Sequence, residues 1–422
     1  MTFKAPPLIA LALAASLGPV QAFAQTATQD TPQTPAQTGD RNTPDPADWP
    51  AVLAEAEGET VYWNAWGGSD SVNAFIDWIG DKAAEQGVTL EHVKLSDTAE
   101  AVSRVLAEKT AGRDSGGGID LVWINGENFA AMKDEGLLFG PWAEELPNRA
   151  LTNPSNAALT ADFTVPTEGY ESPWGMAQLV FFHDSARLAE PPRSMATLLA
   201  WAQANPGRFT YPQPPDFIGS TFLKQALIEF SPDMIALESP VDAADYEATT
   251  APLWAFLDEL TPQLWREGRA YPQSSARLIQ LMADNEIDIG MEFNPNAASN
   301  AIANGQLPDS VRSYIHDGGT IGNASFVAIP FNANAKAGAM VVADILLSPE
   351  AQARMADPAV WGLGTVLDLE ALSPEQKAPF DEIAFGPATL EPSEMGTPLP
   401  EPHPSWMVRL EEDWTSRYGV AE

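Results

Sequence analysis

Apolar residues recur along this chain in three rhythms, and each predicts a different kind of segment. The first is a solid run. Leu8 to Val20 is almost wholly apolar, follows a stretch whose one charge is Lys4, and precedes the small-x-small triplet Ala22-Phe23-Ala24. That is the anatomy of a secretory signal peptide over residues 1–24, with the cut expected before Gln25. The run is shorter than the roughly 20 apolar residues a membrane anchor needs and is broken by Gly18-Pro19. Residues 25–48, dominated by Thr, Gln, Pro and Asp, offer almost nothing to bury and are expected to be a disordered leader.

The other two rhythms alternate from Trp49 onward. Thr60 to Trp66 has strand composition and stops at Gly67-Gly68. Ser69, Asp70 or Ser71 can then cap a helix whose apolar Val72, Phe75, Ile76 and Ile79 fall at i, i+3, i+4 and i+7. Val88 to Leu95 predicts a second strand, and Ala99 to Lys109 a second helix with Val102, Val105 and Leu106 on one face. Ile119 to Ile124 is a near-continuous apolar strand of the kind buried on both faces. Strand, helix, strand, helix, strand with short turns is the signature of a parallel α/β sheet.

A second α/β unit follows. Ser194 is expected to cap a helix from Met195 to Ala204, stopped by Asn205-Pro206-Gly207. Arg208 to Tyr211 predicts a short strand, Gly219-Ser220-Thr221 the opening of another helix, and Ile287 to Phe293 a further strand. Pro173 to Phe182 and Gly322 to Ile329 are placed to carry the chain out of the first unit and back. Ala337 to Leu347 and the helix opened by Ser348-Pro349-Glu350 come next. The pattern predicts a first lobe from 49–175 with a return at 318–360, and a second lobe from 176–317. Helices of 361–422 are expected near the hinge or the second lobe.

Composition narrows the function. With 58 acidic against 22 basic residues the formal net charge is −36, which leaves no clustered cations to displace phosphate counterions. Nucleic acid and an anionic membrane surface are therefore poor partners. The absence of cysteine excludes thiolate chemistry and a lipid-modified N-terminal cysteine, and four scattered histidines argue against a metal cage. No GxSxG, GxxxxGK[ST], HExxH or GxGxxG pattern is present, and no nucleophile–base pair is evident. With so many acids, a pair of carboxylates suited to glycoside hydrolysis carries little weight.

The chain resembles a type II periplasmic solute-binding protein of an ABC importer, and within that class the YnjB-type subgroup. The segments that carry the resemblance are Tyr62 to Gly68, Trp123 to Phe129, Glu171 to Gly175, Tyr211 to Gly219 and Asp357 to Gly362, which together span nearly the whole mature chain. The resemblance implies an α/β, two-lobed architecture with a ligand cleft at the hinge, a periplasmic location and a non-enzymatic carrier role. It also implies an ABC permease with its ATPase as partner. A monomer without cofactor or metal is expected.

Ligands on such sheets sit beyond the carboxyl ends of the strands. That puts Trp66, Gly67 and Gly68 at one candidate position, where the alternative is a tight turn with Trp66 in the core. Glu127 and Asn128 form a second, with helix capping by Asn125 or Asn128 as the alternative. Tyr211, Asp216 and Phe217 flank a rigid Pro-rich loop, and Gly219-Ser220-Thr221 beside it can hold an anion or merely cap. Glu292 and Asn294 end another strand, where a buried Glu292 needs a partner, a cationic solute or Arg312. Trp174 and Trp361 lie in Gly- and Pro-flanked loops and are candidate stacking walls. Carboxylates from Glu127, Asp216 and Glu292 with these aromatic faces point to an organic cation such as a polyamine or thiamine-like amine. A sugar, a ferric ion or an oxyanion remains open, as does a secreted carbohydrate-active enzyme.

Overall fold

The computed structural model describes residues 45–231 and 234–419. The expected signal peptide and nearly all of the expected leader lie outside these residues. The leader's last four residues are ordered: Asp48 caps the first helix, its carboxylate accepting from the Ala51 N–H. No described helix is long and apolar enough to cross a membrane.

The chain opens with α1 (Trp49–Ala56), β1 (Thr60–Trp66), α2 (Asp70–Glu85), β2 (Thr89–Leu95), α3 (Ala99–Thr110), β3 (Leu121–Ile124) and α4 (Glu127–Asp134). A short hairpin, β4 (Ala161–Asp162) and β5 (Val165–Pro166), precedes β6 (Glu171–Gln178). Next come β7 (Val180–Asp184), α5 (Met195–Ala204), α6 (Phe217–Phe230), α7 (Met234–Leu237), α8 (Tyr246–Leu260) and α9 (Ser275–Ala283). They are followed by β8 (Ile289–Glu292), α10 (Ala297–Ala303), β9 (Val311–Tyr314) and β10 (Gly322–Ala328). The remaining helices are α11 (Lys336–Leu346), α12 (Pro349–Ala356), α13 (Pro374–Asp381), α14 (Pro392–Met395) and α15 (Pro404–Tyr418).

Two sheets organise two lobes. The first runs β2-β1-β3-β10-β6, with β1, β2 and β3 parallel and β10 antiparallel to both of its neighbours. The second is an antiparallel trio, β8-β7-β9. Each has its own apolar core. One gathers Val61, Trp63, Phe75, Ile79, Val122 and Phe326, the other Phe181, Phe209, Phe222, Leu257, Ile289 and Trp414. The chain passes from one lobe to the other where β6 runs into β7 at Leu179, and returns between β9 and β10. Residues 361–422 divide between the two: Leu363, Val366 and Leu367 join the first core, and Trp406, Leu410 and Trp414 the second.

The helix periodicity is realised in α2, whose buried residues include Val72, Phe75, Ile76 and Ile79. Ser194 caps α5 in a reciprocal box with Thr197, and Ser348 caps α12 by accepting from the Ala351 N–H. Three local expectations are corrected. Leu106 of α3 is exposed, because that helix buries Ala101 and Val105 instead. Arg208 to Tyr211 forms only a single parallel bridge, Phe209 to Ile289, since the prolines that follow supply no donor for a ladder. Gly219 does not open α6. Asp216 does, accepting from the Ile218 and Gly219 N–H groups at 3.0 and 3.3 Å. Gly219 is needed for a different reason: a Cβ there would lie 2.2 Å from the Pro212 carbonyl oxygen. We therefore expect Gly219→Ala to destabilise the second lobe by about 1–3 kcal/mol through overpacking, read as a lower urea midpoint.

Candidate ligand-binding cleft

The C-terminal end of β3 leads into a turn fixed from two sides. Asn125 Nδ2 donates to the Ala324 carbonyl of β10 at 2.6 Å, and the Gly126 N–H donates to Asp162 Oδ2 of the β4–β5 hairpin at 2.6 Å. Gly126 has φ +56°, and a Cβ there would meet the Phe163 ring at 2.9 Å, so glycine is required. Neither Asn125 nor Asn128 caps α4. The helix starts at Glu127, whose carboxylate accepts from Asn128 Nδ2 at 2.8 Å.

From the second lobe, α6 presents Ser220 and Lys224 one turn apart on the same face. Lys224 is fully buried, on a helix buried at every position from Ile218 to Ile228. Its ammonium lies 2.7 Å from Glu401 Oε2, a close buried ion pair. It also sits 4.4 Å from the Phe163 ring centre and 5.2 Å from that of Phe217. Glu401 Oε1 accepts from Asn323 Nδ2 of β10 at 3.0 Å. Ser220 Oγ donates to Glu411 Oε1 of α15 at 2.5 Å, and α15 packs against both α6 and α4. The first lobe, the second lobe and the crossing strand β10 thus all contribute to one cluster.

Its electrostatics are unbalanced. The Lys224 ammonium acts on four carboxylates, those of Glu127, Asp162, Glu401 and Glu411, and lowers the pKa of each. Burial outweighs that help in every case. The Glu127 carboxyl is pushed up to about 7 by burial, with the Glu411 and Asp97 charges adding to the rise. Burial likewise raises Asp162, Glu401 and Glu411. Behind them Glu171 of β6 is raised by burial and by Asp162, and neither of its oxygens has a hydrogen-bond partner. Four acids, two of them buried and two half-buried, against one ammonium is an arrangement that favours further positive charge. Among the described residues, no three or more His, Asp or Glu side chains converge to hold a metal ion. A groove of about 660 Å³ between α12 and α13 shares no residue with this cluster.

Of the residues singled out in the sequence, Glu127, Asn128 and Phe217 are brought together around Lys224. The others are placed elsewhere. Trp66 ends β1 at 42% exposure, with its indole folded over Gly68, where a Cβ would lie 2.3 Å from the ring; Gly67 abuts Lys94 in the same way. Asp216 caps α6, its carboxyl pushed up to about 6 chiefly by burial. Glu292 is satisfied by Ser275 and by the Phe293 and Asn294 N–H groups. Arg312 is not its partner, because that guanidinium donates to the Asp309 and Val311 carbonyls. Asn294 Nδ2 donates to the Trp361 carbonyl at 3.2 Å, and Asn296 to that of Gly362, pinning the Trp361 loop. Trp361 is itself nearly buried, and Trp174 and Tyr211 are fully buried in the cores of the first and second lobes, so none of the three stands as an open wall. Sequence reasoning missed Lys224, Asp162, Phe163, Glu401 and Glu411. The signal open to it was Lys224, the lone basic residue of Phe217–Phe230, since a buried lysine must find a carboxylate.

Comparison with known proteins places these features in context. The family model described as bacterial extracellular solute-binding protein matches residues 78–380. The Escherichia coli (strain K12) protein YnjB is 45% identical over 375 residues, 89% of this chain and 95% of that one. The periplasmic binding protein AfuA from Actinobacillus pleuropneumoniae, with exogenous fructose-6-phosphate bound, matches with a TM-score of 0.60 at 13% identity, covering 86% of this chain and 99% of its own. A putative spermidine/putrescine ABC transporter from Listeria monocytogenes matches with a TM-score of 0.60 at 15% identity, over 85% and 98% of the two chains.

Proposed function

The chain belongs to the bacterial extracellular solute-binding protein family, and from that premise we propose that it captures a small organic cation in the periplasm for an ABC importer. As a member of that family it is a binding protein and not an enzyme. The observation that carries the cation reading is the surplus of acidic groups over ammonium around Lys224. A cationic solute supplies the charge those acids lack, and the Phe163 and Phe217 faces suit an alkylammonium group. The spermidine/putrescine description of the Listeria protein supports the amine class.

In this reading the lobes hinge about the crossings near 173–180 and 318–327, and the contact of Phe163 of one lobe with Lys224 of the other, present here, belongs to the closed form. The closed form is then recognised by a membrane permease with its ATPase.

A thermal-shift panel of polyamines, thiamine, sugars, amino acids and oxyanions tests the assignment, because a ligand that binds only the native state raises the melting point. A shift with amines that weakens in Glu127→Gln is expected. A shift confined to sugars or oxyanions overturns the cation assignment.

The pH dependence has a definite sign. A carboxyl whose folded pKa is raised contributes stability at low pH and loses it as pH rises through the folded value. Through Glu127, the ligand-free protein is therefore less stable at pH 8 than at pH 5. A cation prefers the ionised carboxylate, so its affinity should climb through pH 7, by about tenfold between pH 6 and pH 8 for this one group. Calorimetric titration at the two values checks this, and an affinity flat or falling across that interval contradicts it.

A further inference from the structure

We propose that Lys224 is a built-in occupant of one ammonium position in the cleft, and that it sets the charge of the solute the site accepts. This rests on the cation reading above and adds to it a determinant of specificity. The surroundings of the Lys224 nitrogen are those that recognise a foreign alkylammonium: a carboxylate at 2.7 Å and two aromatic faces, Phe163 from the first lobe and Phe217 from the second, at 4.4 and 5.2 Å. The side chain is completely buried, and its nitrogen is held by the Glu401 carboxylate and the two ring faces. An ammonium carries three donors, and this one sits among further acids, Glu127, Asp162 and Glu411.

By neutralising Glu401 from within, Lys224 reduces by one the number of positive charges the cleft accepts from solution. Its removal frees that position, lined by Glu401, Phe163 and Phe217, for a second ammonium of the ligand.

The test is isothermal titration of the wild-type protein, Lys224→Met and the double variant Lys224→Met/Glu401→Gln at pH 8. The probes are butylamine, putrescine and spermidine, carrying one, two and three charges, with 4-aminobutyrate as a zwitterion of similar length. The expected result is that the preferred amine gains one charge in Lys224→Met, with affinity for it at least tenfold above that of the wild type. The double variant removes occupant and carboxylate together and should return to the wild-type order. It also loses the unpaired buried charge that could prevent the single variant from folding, so a shifted order in it overturns the proposal even where Lys224→Met does not fold. An unchanged order of amines in Lys224→Met, or a shifted order in the double variant, overturns the role given to Lys224 while leaving the cation reading intact. Preference of the wild type for 4-aminobutyrate over every amine, lost in Lys224→Met, overturns it too, because Lys224 would then hold a ligand carboxylate. If none of these probes binds any of the three proteins, the cation reading fails and this inference with it.

Discussion

Glu401→Ala should lower the stability of the protein by about 3–5 kcal/mol, the scale observed when one partner of a buried ion pair is removed and the other is left behind. Lys224 lies 2.7 Å from Glu401, and both side chains are essentially inaccessible to water. The substitution also strands Asn323 Nδ2, which donates to Glu401 Oε1. One effect opposes the loss. Glu127, Asp162 and Glu411 also act on Lys224 and could ionise in place of Glu401. Each can do so only against its own burial, so compensation is partial. Urea unfolding of the purified variant at pH 7 measures the result. A loss below about 1 kcal/mol would mean that Lys224 has a way out to solvent that the packing does not show.

Trp174→Ala should cost a similar amount, about 3–5 kcal/mol, but through packing rather than charge. Trp174 is fully buried where four other rings meet. Trp123 lies at 4.8 Å, Trp361 at 5.5 Å, Trp63 at 5.6 Å and Phe75 at 6.4 Å between centroids. Its backbone carbonyl accepts from Gln352 Nε2 of α12 at 2.6 Å, which ties β6 to that helix. Deleting the indole leaves a void in the middle of the first lobe that its rigid neighbours cannot fill. Thermal unfolding followed by fluorescence reports the cost. The opposite pattern, full stability with lost solute binding, would return Trp174 to the role of a stacking wall.

Those two residues show where the sequence is informative about this protein and where it is not. Periodicity exposes α2, because Val72, Phe75, Ile76 and Ile79 must share a face to be buried at all. It exposes β3 because a strand covered on both sides is apolar at nearly every position. The loops at the ends of those strands follow from the sheet, and one of them does deliver Glu127 to the cleft. Side-chain direction is not written in the same way. Trp174 sits beside Pro173 and Gly175, as a loop aromatic would, but lies in a strand whose first five residues are all buried. Burial of Lys224 depends on α6 being packed on all sides, which a local pattern does not reveal. Glu401 reaches the cleft from Pro400-Glu401-Pro402, a stretch with no periodicity, and Asp162 and Phe163 arrive on a hairpin with strands of only two residues. The architecture is thus encoded in short-range pattern. The cleft's charge balance is assembled from residues up to 284 positions apart, Glu127 to Glu411, which only the folded chain brings together.

Whether the cleft binds positive charge is decided most directly by a pair of ligands equal in length but not in charge. Calorimetric titration of the wild-type protein at pH 8 with an alkylamine series and the matching alcohols isolates the ammonium group. Saturable binding of an amine, and none of the alcohol of the same length, is the expected result. Equal binding of the two, or binding of the alcohol alone, would contradict it.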